Sequence, residues 1–182
     1  FHYGVKILFR RDSQFVKFRF PASPKGRFFD IIKYMPKERF KLIASVYLVL
    51  IRDNKILLSR RYGTGYFDGN YSFPAGHLDG NETLKQGMVR EIKEEIGVDV
   101  EQNDLELIHV MNRKIPDDER LDFFFGAKKW LGEPKIMETD KCDDLSWFEL
   151  DNFPKNIIPY IRQAIDSILN NIIYSEREGP EN

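Results

Sequence analysis

A single cysteine, Cys142, stands among 182 residues, so an internal disulfide is excluded and a reducing, cytoplasmic setting is expected. Long apolar runs are missing as well. None approaches the roughly 18 residues that a membrane span needs, so the chain reads as soluble, with no membrane partner. Charge of one sign is also missing: 28 Lys and Arg stand against 29 Asp and Glu, a net charge of −1 that offers nucleic acid no global attraction. Near the N-terminus, charges recur too often for the apolar core of a secretory signal. What is present, 42% hydrophobic and 31% charged residues, fits one globular domain with extensions and a core of real size.

The near-neutral sum hides an uneven distribution. Residues 1–34 hold eight Lys or Arg and two Asp, which is +6 and leaves −7 for the rest, and nine of these residues are aromatic. Basic residues interleaved with Phe can hold a single-stranded nucleic acid through phosphate contacts and stacking. The plainer expectation is an accessory hairpin, or a segment outside the natural protein, since Met35-Pro-Lys-Glu reads as a start. The expected division is an extension over 1–34, a main domain over 35–174 and a polar tail over 175–182 that frays.

The main domain opens with a β-favouring run, Leu42 to Ile51, followed by a turn at Arg52-Asp-Asn-Lys and an antiparallel partner from Lys55 to Arg61. Tyr62 to Asn70 holds three glycines and reads as a mobile cover. Leu105–Val110 and Leu121–Lys129 read as strands joined by a charged loop from Ile115 to Arg120, and Trp130 to Pro134 as a turn. Ile157, Ile158, Ile161, Ile165, Ile168, Leu169 and Ile172 trace one helical stripe, which predicts a packed helix over 155–173.

Residues 76–98 carry the chemistry. Glu91, Glu94 and Glu95, spaced i, i+3 and i+4, form an anionic stripe within roughly 100° of a helix that turns about 100° per residue. Leu84, Met88, Val89, Ile92 and Ile96 lie beside that stripe, so the carboxylates border the buried side instead of opposing it. Their repulsion, together with an unfavourable dipole at the helix end marked by Gly97, costs roughly 1 to 3 kcal/mol. Arg90 and Lys93 project in other directions on the wheel and offset only part of this. A hard divalent cation is the remaining partner, and Mg²⁺ commonly joins carboxylates to a substrate's phosphates. Gly87, on the same stripe, adds no side chain and leaves room for a ligand.

The segment resembles the Nudix hydrolase signature Gx5Ex7REUxEExGU, with U a bulky aliphatic residue. It matches at Gly76, Glu82, Arg90, Glu91, Ile92, Glu94, Glu95, Gly97 and Val98. The resemblance extends over about residues 40–170. It implies an α/β fold, an α/β/α sandwich with a mixed β-sheet between helices. It further implies Mg²⁺ or Mn²⁺ held by Glu91, Glu94 and Glu95, with the carbonyl of Gly76 also reaching the metal and glycine chosen there for backbone geometry. Glu82 and Arg90 correspond to a structural ion pair. Arg61, and beside it Arg60, match an arginine that contacts substrate phosphate, or they are solvated surface charges. Glu138 follows a Trp-x-Gly-Glu-Pro segment and corresponds to a further carboxylate on the metal; Glu119 or Asp118 is the alternative. Asp144 falls on a strand that flanks the base pocket in relatives. Catalysis is expected from Glu91, Glu94 and Glu138, with Glu91 and Glu138 the candidates for general base. Dimers are common in the family.

The resemblance implies a substrate made of a nucleoside diphosphate linked to another group X. Tyr-Ser-Phe-Pro-Ala-Gly carries Ala75 where oxidised-guanine triphosphatases often have glycine, and Pro116 lies further along than the proline that often accompanies ADP-ribose cleavage. The preferred reading is therefore a triphosphate of broad or modified-base specificity, cut to a nucleoside monophosphate and pyrophosphate. The alternatives are an ADP-ribose or ADP-sugar pyrophosphatase, and a non-catalytic nucleotide- or RNA-binding module.

Overall fold

The computed structural model of the chain describes residues 40–115 and 118–179. The readings of the 1–34 extension and of Pro116 fall outside them. In chain order the elements are β1 (Ile43–Val49), β2 (Ile51–Arg52), β3 (Lys55–Arg61), β4 (Tyr71–Ser72), β5 (Ala75–His77), α1 (Leu84–Ile96), β6 (Leu105–Ile115), β7 (Asp118–Ala127), β8 (Cys142–Glu149), α2 (Pro159–Leu169) and β9 (Tyr174–Glu178). The strands form two sheets instead of one: a mixed sheet in the order β5-β1-β7-β6-β9, and a second built on β3, which pairs with β2, β4 and β8.

The period-two alternation of β1 decides the layering. Val46 and Leu48 enter one buried cluster with Met88, Ile92 and Ile96 of α1. Tyr47 and Val49 enter another with Ile161, Ala164 and Ile165 of α2. The two helices therefore cover opposite faces of the sheet, an α/β/α sandwich. Between β2 and β3 the chain reverses through Asp53 and Asn54, both at positive φ (51° and 60°), the conformation of a type I′ hairpin turn.

Three expectations are corrected. The charged loop 115–120 is mostly strand: β6 runs on to Ile115, β7 starts at Asp118, and Arg113 pairs across with Arg120. The second helix is shorter than 155–173, since Pro159 occupies its first turn and Asn170 ends it. The tail does not fray at Tyr174–Glu178, which pair in parallel with β6. His109, buried in β6, fixes that strand: Nδ1 lies 2.8 Å from the Ile172 carbonyl and Nε2 lies 3.0 Å from Ser175 Oγ. A carbonyl can only accept, so Nδ1 carries the proton and Nε2 accepts from Ser175.

On the α2 face, Arg113 is 1% exposed and pairs with the fully buried Asp122, while its guanidinium lies 3.7 Å from the centre of the Tyr160 ring. No helix among the described residues is long and apolar enough to cross a membrane.

Candidate active site

Helix α1 is delimited by local chemistry. Thr83 caps its start by accepting from the Gln86 amide (3.3 Å), and the Gln86 side chain accepts in return from the Thr83 amide (2.8 Å). Gly97, at φ 72°, closes its end. Burying Met88, Ile92 and Ile96 stabilises by about 1.5 to 3 kcal/mol each, enough to override the glutamate repulsion. The helix thus holds Glu91, Glu94 and Glu95 at the rim of a cavity of about 470 Å³. Arg60, Arg61, Gly76, His77, Glu138, Lys141 and Cys142 also line it.

Arg90 does not project away from the carboxylates. It folds back along the helix: Nη2 donates to Glu82 (2.7 Å) and to the His77 carbonyl (3.1 Å), and Nη1 donates to Glu91 (2.8 Å) and Glu94 (3.3 Å). The length of an arginine side chain lets it reach partners that a helical wheel places elsewhere. Glu82 also accepts from the Asp79 amide (2.9 Å), so this pair ties the loop before α1 to its second turn.

Two glycines have reasons other than those read from the sequence. Gly76 does not sit at positive φ. A Cβ there would lie 1.8 Å from Glu91 Cδ, so the residue is needed for close approach, with the Glu91 carboxylate filling the space. At Gly87 a Cβ would meet Leu78 Cδ2 at 2.5 Å and Glu82 Oε1 at 3.1 Å, so the room it leaves is taken by the protein itself.

Glu95 accepts from the Ala75 amide (2.9 Å). Burial pushes its carboxyl up to about 7 against the lowering effect of that amide, and the fields of Glu91 and Glu138 raise it further. Burial likewise raises Glu91 despite its bond to Arg90. Glu91 and Glu95, desolvated and pushed up further by neighbouring carboxylates, belong to a donor set suited to a hard cation. The backbone of Gly76 lies against one of them. Among the described residues no three His, Cys, Asp or Glu side chains meet closely enough to hold an ion unaided. A divalent ion held here would need water or phosphate oxygens to complete its ligands.

The other residues singled out from the sequence are distributed as follows. Arg60 makes a two-point contact with Asp143 (2.8 and 3.1 Å). Arg61 lines the cavity but donates to the Tyr66 carbonyl (2.6 Å) and Thr64 Oγ1 (3.0 Å). With Asp68 accepting from Thr64 and Gly65, these bonds cross-link the glycine-containing loop. Glu138 faces the carboxylates of α1 from the turn before β8. Asp144 is not on the cavity wall; it accepts from the Tyr71 hydroxyl and from Ser146. Asp118 holds Arg120 (2.9 Å) and is not on that wall either. Lys141, which the sequence reading missed, is 2.8 Å from Glu138 Oε1; its one signal was the i,i+3 spacing.

Residues 41–168 match the NUDIX domain. The chain belongs to the Nudix family. This Nudix chain is 31% identical over 114 residues to an NAD-capped RNA hydrolase, NudC, of Pseudomonas aeruginosa, covering 63% of this chain and 38% of the relative. It is 28% identical over 123 residues to an 8-oxo-dGTP diphosphatase of Escherichia coli, covering 66% of this chain and 94% of that protein. A crystal structure of a MutT Nudix hydrolase from Burkholderia pseudomallei superposes with a TM-score of 0.63 at 27% identity, over 70% of this chain and 98% of the other. The Nudix chain therefore spans about two fifths of the NudC relative's length and nearly all of the diphosphatase's.

Proposed function

We propose that this Nudix chain hydrolyses the pyrophosphate linkage of a nucleoside diphosphate linked to X. The preferred substrate is a nucleoside triphosphate with a standard or modified base, giving a nucleoside monophosphate and pyrophosphate. The observation that carries the reading is one cavity lined by Glu91, Glu94, Glu95 and Glu138 together with Arg60, Arg61 and Lys141. Its volume of about 470 Å³ falls in the range of small-molecule sites. The match to nearly the full length of an 8-oxo-dGTP diphosphatase supports a triphosphate over other forms of X. The likeness to NudC supports a second reading, in which X is a nucleotide carried on RNA.

In this mechanism Glu91, Glu94, Glu95 and Glu138, with the Gly76 carbonyl, would hold Mg²⁺ or Mn²⁺. When bound, the ion supplies neutralisation of diphosphate oxygens and a lowered pKa for the attacking water. The chain's own contribution is orientation. Arg90 keeps Glu91 at the rim by bonding it directly, and Glu82 holds Arg90 from the other side. Gly76 lets the β5 backbone lie against the Glu91 carboxylate. Arg60, released from Asp143 or bridging to it, presents a planar fork suited to phosphate. Glu91 or Glu138 takes the proton of the attacking water.

The test is a substrate panel: nucleoside triphosphates with standard and oxidised bases, ADP-ribose, and NAD-capped RNA, each with Mg²⁺ and with products identified by mass. Release of pyrophosphate and a monophosphate from triphosphates is expected. If no anhydride in the panel is cleaved, the enzymatic reading fails and a binding module remains.

A further inference from the structure

We propose that Lys141 is a positioning residue of the cleft, an ammonium group that holds Glu138 and yields it to a divalent ion arriving with nucleotide. The proposal rests on the pyrophosphohydrolase reading and adds a control on cation uptake to it. Lys141 Nζ lies 2.8 Å from Glu138 Oε1, and both residues line the same cavity as Glu95. The other cations on that wall have partners elsewhere. Arg90 is held by Glu82, Glu91 and Glu94, Arg60 by Asp143, and Arg61 by the loop at Thr64 and Tyr66.

The backbone under Lys141 is fixed. Its amide and that of Cys142 donate to the Glu138 carbonyl (3.1 and 3.0 Å), and its carbonyl accepts from Tyr62 (2.8 Å). Upstream, Met137 and Lys135 donate to the Glu95 and Ile96 carbonyls (3.0 Å each) at the end of α1. Movement is thus left to the side chain, which is 57% exposed and carries its charge on a flexible stem. So exposed a pair is weak and screened. A divalent ion can displace it, whereas it could not displace the partly buried Arg90 from Glu91. Once displaced, the ammonium remains in the cleft, free to meet phosphate oxygens. Lys141 therefore makes cation uptake weak on its own and stronger with nucleotide.

The experiment measures Mn²⁺ binding to the full chain by electron paramagnetic resonance, for wild type, Lys141→Met and Lys141→Arg, with and without a non-hydrolysable triphosphate analogue. Without nucleotide, Lys141→Met should bind Mn²⁺ about two- to five-fold more tightly, the size set by an exposed ion pair. Lys141→Arg should behave like wild type. The gain in Mn²⁺ affinity on adding the analogue should shrink in Lys141→Met, and KM should rise by a larger factor than kcat falls. If wild type binds Mn²⁺ and Lys141→Met binds it equally or more weakly, the role assigned to Lys141 is wrong although the cation site stands. If wild type takes up no Mn²⁺ even with the analogue, the pyrophosphohydrolase reading fails and the proposal falls with it.

Discussion

Replacing Gly76 with alanine should separate stability from chemistry. The added methyl group would lie 1.8 Å from Glu91 Cδ and 2.1 and 2.2 Å from its two oxygens, too close for any real contact. What it meets is the far end of a flexible side chain, so the cheapest response is for Glu91 to rotate out of its pocket. The carboxylate, whose side chain is 14% exposed, then loses its bond to Arg90, a loss of about 1 to 2 kcal/mol. For a domain of this size that corresponds to roughly 3 to 8 °C in melting temperature. The effect on turnover should be far larger, since a ligand moved out of the cation site costs on the order of 100-fold or more in kcat/KM. Calorimetry, Mn²⁺ titration and steady-state kinetics on Gly76→Ala measure the three quantities together. The reasoning is refuted if kcat/KM stays within about threefold of wild type. It is also refuted if the melting temperature drops by more than about 15 °C, because the backbone and not Glu91 would then have moved.

Three further outcomes are expected. The Glu94→Gln/Glu95→Gln double variant should remain folded and lose Mn²⁺ affinity and most turnover; wild-type kinetics from it would remove these carboxylates from the cation site. Asp122→Ala, which removes a carboxylate paired with the buried Arg113, should lose about 3 to 5 kcal/mol in urea denaturation, and Arg113→Met/Asp122→Leu should regain part of it. A double variant no more stable than Asp122→Ala would contradict that account. Burial holds His109 below its ordinary pKa, so the folded chain binds fewer protons than the unfolded chain. Stability should therefore be level above pH 6.5, fall as pH drops from there to the depressed value, and flatten below it. The difference between wild type and His109→Gln, followed by urea midpoint against pH, should show that window, and parallel curves would refute it.

Much of the site was legible because its residues are close in sequence and their spacing maps directly onto a helix. Glu91, Glu94 and Glu95, on a helix stopped by Gly97, required only local rules. The hairpin turn at Asp53-Asn54 and the β-favouring run of β1 were legible for the same reason. What escaped depends on tertiary placement. Arg90 reaches partners eight residues back and four ahead, which a wheel drawn at Cβ cannot represent. The reason for Gly76 exists only once β5 lies against α1. Strand β9 carries little apolar alternation; its place comes from backbone pairing with β6 and from His109, which lies 66 residues before Ser175. Lys141 drew no reading from the sequence, because only the folded turn brings it to the cavity that Glu95 lines.

That turn has an evolutionary consequence. Its course is drawn chiefly by main-chain groups, from Lys135 and Met137 on the end of α1 to Lys141 on Tyr62, with Gly63 packed so closely that a Cβ would come 2.7 Å from the Asp140 carbonyl. Main-chain bonds do not depend on which side chains they carry. Thr139 and Asp140 are thus replaceable inserts in a rigid frame, and the backbone of Lys141 keeps its place whatever they are. Randomising those two positions offers a way to vary the approach to Glu138 and Lys141 without rebuilding the scaffold.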